Sequence, residues 1–156
     1  MEHALKETFG LGEVRAETYS PLDLAYIGDC AYELTIRTLS LNKGNAPVDK
    51  LNRRASLLAK AGTQSEMVTA IFDSLSEEEQ MIYRRGRNAK TYTMAKNASV
   101  GEYHRATGFE ALVGWLYLKG DYGRMAEIIR MGFEAIDAEI LKKPEVMQQS
   151  EETEEG

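Results

Sequence analysis

Two carboxylates stand in segments that are otherwise almost wholly apolar. Asp29 lies inside "LAYIGDCAYEL", residues 24–34, and Glu110 is the only charge in "ATGFEALVGWLYL", residues 106–118. A helix that is apolar nearly all round is normally buried, and a buried ionised carboxylate is costly unless something pairs with it. Gly28 precedes Asp29 and Gly114 lies one turn after Glu110, so both segments lack side chains where two backbones could approach closely. Packed together, such helices would bring like charges into a poorly solvated site and raise one pKa unless a cation intervenes. A hard divalent cation such as Mg²⁺ suits oxygen ligands and is typically held by one or two carboxylates, with waters and substrate phosphate completing its shell. Structural pairing with an arginine is the other solution, and Arg37, two turns along from Asp29, is available to a nearby carboxylate. A histidine-based metal site fits less well, because His3 and His104 are the only histidines and neither sits in a Glu-x-x-His repeat.

A second chemistry is written in residues 83–105, "YRRGRNAKTYTMAKNASVGEYHR". Arg84, Arg85, Arg87, Lys90, Lys96 and Arg105 stand there against a single Glu102, a local charge of +5. Asn88, Thr91, Thr93 and Asn97 add neutral donors and Gly86 permits close backbone approach, a combination suited to a phosphate backbone. Tyr83, Tyr92 and Tyr103 have a spacing compatible with stacking on bases and equally with packing. Lys43, Lys50, Arg53, Arg54 and Lys60, against Asp49, form a second basic group that could extend the surface. A charge run of this kind is also what an ordinary solvated face looks like. Its order in the chain favours the functional reading, because the basic connector feeds directly into the segment bearing Glu110.

Positioning these groups requires helices. Three prolines, no short alternating β-branched runs and apolar residues at helical spacing predict an all-α chain. One helix starts near Pro21 and runs through "LDLAYIGDCAYELTIRTLSL", ended by the loop "NKGNAP". A second helical region follows in "VDKLNRRASLLAKAGTQSEMVTAIFDSL", with a break near Gly62. Ser76 and Glu79 make a capping-box signature opening "EEEQMIYRRGR", and Asp121 caps the last helix. Between them, "VGEYHRATGFEALVGWLYLKG" is predicted helical in its second half.

The 156 residues fit one domain with a real core. No apolar run approaches a bilayer span, and "MEHALKETFG" resembles no secretory signal. The lone Cys30 is expected to be a small buried packing residue in a reducing cytoplasm. Five of the 25 acidic residues fall in the last 13 positions, leaving 20 acidic against 19 basic side chains over residues 1–143, so the net charge of −6 does not exclude a nucleic-acid partner. The expected organisation is an N-terminal segment (1–19), a helical body (20–141) and an acidic tail (142–156) of disordered composition.

The three motifs in this order resemble the ribonuclease III family. "LAYIGDCAYEL" resembles its signature helix and "ATGFEALVGWLYL" its second catalytic helix, while "RGRNAKTYTMAKNASVGEYHRATGFEAL" is closer to the short branch, the mini-ribonuclease III proteins. The resemblance covers roughly residues 20 to 140. It implies an all-α endonuclease bundle that forms a homodimer and cleaves double-stranded RNA with Mg²⁺, Mn²⁺ being a substitute, to leave 5′-phosphate and 3′-hydroxyl ends. Asp29 matches the Asp of the family's Gly-Asp pair and Glu110 the Glu of its Phe-Glu-Ala motif, both as metal-binding catalytic residues. The larger enzymes carry further carboxylates where this chain has Ala25 and Thr107, a thinning the mini branch shares. Thr107 would then orient a ligand or water, with Tyr26 supporting the site. No separate double-stranded RNA-binding domain is expected within these 156 residues, so affinity would fall to Arg85, Arg87, Asn88, Lys90, Lys96 and Asn97. The implied substrate is a precursor of large-subunit (23S) ribosomal RNA in a bacterial cytoplasm, with a ribosomal protein as a helper to look for and no membrane partner. For the dimer surface, the apolar residues around Tyr26 and Trp115 are the candidates.

Overall fold

The computed structural model describes residues 1–90 and 99–142, and among them it contains helices and no strand. Ser20 accepts a hydrogen bond from the Asp23 amide, and Pro21 supplies a preset φ at the first helical position, so a 22-residue helix starts where expected (α2, Pro21–Asn42). It ends before Gly44, whose φ of +107° only glycine adopts readily. The next helical region is divided at Lys60 into α3 (Val48–Ala59) and α4 (Ala61–Ile71), close to the expected break. The capping box of Ser76 and Glu79 opens α5 (Glu77–Arg87), and Asp121 caps α7 (Tyr122–Ala135) by accepting from the Arg124 amide.

Two elements go beyond the sequence reading. Residues 2–9 form a short helix (α1, Glu2–Phe9) that buries none of its residues, within a segment where the sequence predicts no element. The chain from Val100 to Leu118 is helical throughout (α6), not only in its second half, because Ser99 and Glu102 form another capping box.

α6 is the central element, buried from Ala106 to Tyr117 apart from Glu110, and packed against α2, α4 and α5. Tyr32 meets Phe109 edge-on at 5.4 Å and donates its hydroxyl proton to the Leu58 carbonyl at 2.7 Å. Trp115 is only 1% exposed and fills this chain's own core, so of the two places named for a dimer surface its own side chain offers none.

α2, by contrast, is not buried all round. Leu22, Tyr26, Cys30, Leu34 and Leu41 line an exposed side, Tyr26 being 79% accessible. Cys30 is therefore exposed, against expectation, because nothing in the described chain covers that side of the helix.

α5 is tied to α7 by an ion pair absent from the sequence reading. Arg124 donates from Nε and Nη2 to the two Glu79 oxygens, each at 2.8 Å, and Glu79 is buried. Glu79→Gln strands the arginine and should cost roughly 3 kcal/mol by urea unfolding. The Arg124 hydrogen bonds hold the Glu79 pKa below the ordinary carboxylate value, against the opposing effect of burial. This contribution is fully present above the unfolded carboxylate pKa and lost as pH falls through the lower folded value. The difference in unfolding free energy between wild type and Glu79→Gln should accordingly shrink in acid; a constant difference down to the acid transition would contradict the pairing.

Candidate active site

The glycines expected to let helices approach do so. A Cβ built on Gly28 would lie 1.7 Å from the Glu110 carbonyl oxygen, and one on Gly114 would lie 1.9 Å from that of Leu24. α2 and α6 therefore touch backbone to backbone, and Asp29 and Glu110 are carried into one another's field. Glu110 is pushed up to about 8, by burial first and by the Asp29 charge second. Asp29 lies nearer the surface and is raised too, by partial desolvation first and then by Glu33.

Arg37 does not neutralise this pair. Its Nη2 lies 3.4 Å from Glu33 Oε2, one turn away on the exposed face of α2, the pairing with another carboxylate anticipated above. A buried carboxyl that carries the charge of a second one, with no arginine or lysine offsetting it, makes an all-oxygen donor set that fits a hard divalent ion. Among the described residues no third His, Cys, Asp or Glu joins them into a larger group. Water and substrate oxygens would have to complete the shell, in keeping with Ala25 and Thr107 being buried neutral positions.

Gln64 of α4, which the sequence reading missed, belongs to the same place. It is 1% exposed and near enough to Glu110 to favour the ionised carboxylate, and its Nε2 meets no acceptor at hydrogen-bonding geometry among the described residues. The signal was present: Gln64, Met67, Val68 and Ile71 follow the i, i+3, i+4, i+7 pattern, and all four are buried, so an amide occupies a place in an apolar stripe. Ser65 beside it accepts from Arg105 Nε at 2.6 Å, which clips α4 to α6 at this level.

Thr107 lies one turn before Glu110 on α6. It is buried and its hydroxyl donates to the Tyr103 carbonyl at 3.0 Å, so its proton is committed within its own helix and only its oxygen lone pairs remain to receive a water. Tyr26, one turn before Asp29, lies on the exposed side of α2.

The basic end of α5 borders this site because of two further glycines. A Cβ on Gly86 would meet Ala111 Cβ at 2.7 Å and Gly108 Cα at 2.9 Å, and one on Gly108 would meet the Tyr83 carbonyl at 2.7 Å. Gly86 thus serves the approach of α5 to α6, not of a phosphate. Arg85, Asn88 and Lys90 are exposed, Arg87 is half-buried over the Tyr83 ring at 5.7 Å, and its Nε donates to Asn88 Oδ1 at 3.2 Å. Tyr83 itself is buried against Phe72 and Gly108, so it packs and is not free to stack on a base. Thr91, Tyr92, Thr93, Lys96 and Asn97 lie outside the described residues, as does the acidic tail from residue 143 onward. In the second basic group, Lys43 is spent: its ammonium donates to the Glu139 carbonyl at 2.9 Å and to that of Lys142, fastening the 139–141 turn.

Comparison with known proteins agrees with this geometry. Residues 22–121 match the Ribonuclease III domain. The chain is 47% identical over 118 residues to the Mini-ribonuclease 3 of Thermoanaerobacter sp. (strain X514), covering 76% of this chain and 83% of that protein. It is 44% identical over 113 residues to the Mini-ribonuclease 3 of Clostridium tetani, covering 72% and 75%. A crystal structure of a Fusobacterium nucleatum protein superposes with a TM-score of 0.68 at 32% identity, over 74% of this chain and 89% of that one.

Proposed function

Because the chain belongs to the ribonuclease III family and is an endoribonuclease, we propose that it hydrolyses double-stranded RNA at Asp29 and Glu110 with Mg²⁺. The observation that carries the reading is the buried Glu110 carrying the charge of Asp29 where α2 and α6 touch backbone to backbone. When bound, the ion lowers the pKa of a water and offsets charge at the scissile phosphate. Asp29, which is exposed, and Glu110, which is partly buried, would hold the ion between them, with Asp29 the more open to an incoming duplex. Glu110 must give up its proton to do so, and ion affinity therefore falls as the pH is lowered. Hydrolysis by water leaves 5′-phosphate and 3′-hydroxyl ends.

Arg85, Arg87, Asn88 and Lys90, together with Lys96 and Asn97 of the following segment, contact phosphates and set the register of the duplex. A-form RNA is recognised mostly through shape, 2′-hydroxyls and phosphates, so base preference is weak. The exposed apolar side of α2 around Tyr26 is covered by a second copy, and the two active sites of that homodimer cut opposite strands. The substrate is a precursor of large-subunit (23S) ribosomal RNA in the cytoplasm, presented by a ribosomal protein.

The test incubates the protein with that precursor and with an unrelated duplex of equal length, in Mg²⁺. One cut per strand within the precursor stem, at positions absent from the unrelated duplex, is expected. Equal, scattered nicking of both would sink the ribosomal assignment. Light scattering on the same samples should give two chains, and one chain for Tyr26→Arg; a monomeric wild type would rule out the dimer.

A further inference from the structure

Gln64 has the features of a part of the active site that the family motifs do not name. Its side chain is enclosed, at 1% exposure, and its Nε2 has no hydrogen-bond partner among the described residues. A buried donor left unpaired is unfavourable, and an amide at the first place of an apolar stripe could be replaced by a hydrocarbon at no loss to packing. The position is rigid: the Gln64 backbone is held in the first turn of α4 through its bond to the Lys60 carbonyl at 3.0 Å. The neighbouring Ser65 hydroxyl is fixed by Arg105 of α6. The amide lies across the packing of α4 on α6, close enough to Glu110 to favour its ionised form without yet making a bond of ordinary geometry.

We infer that Gln64 is a positioning residue: its Nε2 donates to one oxygen of the ionised Glu110, fixing the carboxylate's rotation and turning the other oxygen toward the divalent ion. The inference rests on the reading of Asp29 and Glu110 as the ion's ligands. Three points support the direction. A carboxylate accepts and an amide nitrogen donates, so the bond is complementary once Glu110 has lost its proton. Hydrogen bonds of this kind are often long or misaligned before ion and substrate enter, and tighten afterwards. Groups that hydrogen-bond a ligating carboxylate orient it and tune the ion it holds. Tyr32, which also senses Glu110, is already committed to the Leu58 carbonyl, whereas the Gln64 amide has no partner among the described residues.

Gln64→Met keeps length and volume and removes the donor; Gln64→Asn keeps the amide and shortens its reach. Mn²⁺ binding is measured by calorimetry without RNA, duplex affinity by titration in chelator, and cleavage by kcat and KM. Both variants should bind Mn²⁺ roughly 10–100-fold more weakly and lose kcat at fixed Mn²⁺ to a similar degree, with duplex affinity within about twofold of wild type. Gln64→Met should melt no lower than wild type, since the donor it removes is unsatisfied in the protein without metal. Should Gln64→Met fail to fold, Gln64→Asn carries the same comparison. Wild-type Mn²⁺ affinity in a folded variant would overturn the inference, and so would a loss of melting temperature with Mn²⁺ affinity unchanged, the mark of a purely structural amide. A wild type that neither binds Mn²⁺ nor cuts duplex would instead remove the reading beneath it.

Discussion

Asp29→Asn and Glu110→Gln should each slow cleavage of an RNA duplex on the order of 10³-fold, the scale of losing several kcal/mol of transition-state charge stabilisation. The same substitutions should not weaken the fold. Glu110 is raised to about 8 by burial and by Asp29, above its value in the unfolded chain. The folded state therefore holds a proton that the unfolded state has released, and stability declines as pH rises from the ordinary carboxylate range toward 8. A neutral amide escapes that decline, so Glu110→Gln should unfold at a higher urea concentration than wild type at pH 8 without metal, and the gain should vanish near pH 4. Added Mn²⁺ should narrow the gap by stabilising the wild type alone. An inactive variant that resists unfolding better than its parent is the signature of carboxylates kept for chemistry. Loss of stability in Glu110→Gln would instead mark a structural pair with a stranded cation, and would overturn the assignment.

Gly28→Ala is the second large effect, and here the fold itself should fail. The new methyl would lie 1.7 Å from the Glu110 carbonyl oxygen and 2.7 Å from the Gly114 amide nitrogen. Both are backbone atoms at the centre of the α2–α6 contact, so neither can swing aside as a side chain would. Relief requires the helices to separate by more than an ångström along their whole contact, and α6 is the helix on which the core is built. A cost of about 4 kcal/mol or more follows, in the range reserved for severe overpacking. Gly114→Ala meets the Leu24 carbonyl oxygen at 1.9 Å and should behave alike. Urea unfolding checks both. Wild-type unfolding midpoints would show that the helices have slack, and would remove the physical reason for the closeness of Asp29 and Glu110. If either variant folds with its helices spread, cleavage should fall even though no ligand has been changed.

The pairing of Gly28–Asp29 with Glu110 and Gly114 was legible because it needs only local information: two apolar segments, each with one misplaced charge and a glycine beside it. The caps at Ser20, Ser76 and Asp121 were legible for the same reason. What the sequence hid depends on which faces meet. The period of α2 marks apolar residues at Leu22, Tyr26 and Leu34 but does not say that one chain leaves them uncovered, which is why Cys30 reads as an interior residue. Lys43 reads as a free cation until the 139–142 carbonyls are seen to consume it. Gly86 looks suited to a phosphate, yet its missing side chain is filled by α6. Gln64 shares no motif with Glu110 and lies 46 positions away; only the packing of α4 on α6 brings it there.

That this site hydrolyses duplex RNA using a divalent ion is tested most directly by incubating the unaltered protein with an end-labelled RNA duplex and with each of its single strands, in Mg²⁺ and in chelator. Cutting of the duplex alone, in Mg²⁺ alone, with 5′-phosphate and 3′-hydroxyl ends at the break, is the expected result. A duplex that is bound but intact in every condition, or cut equally well in chelator, would contradict it.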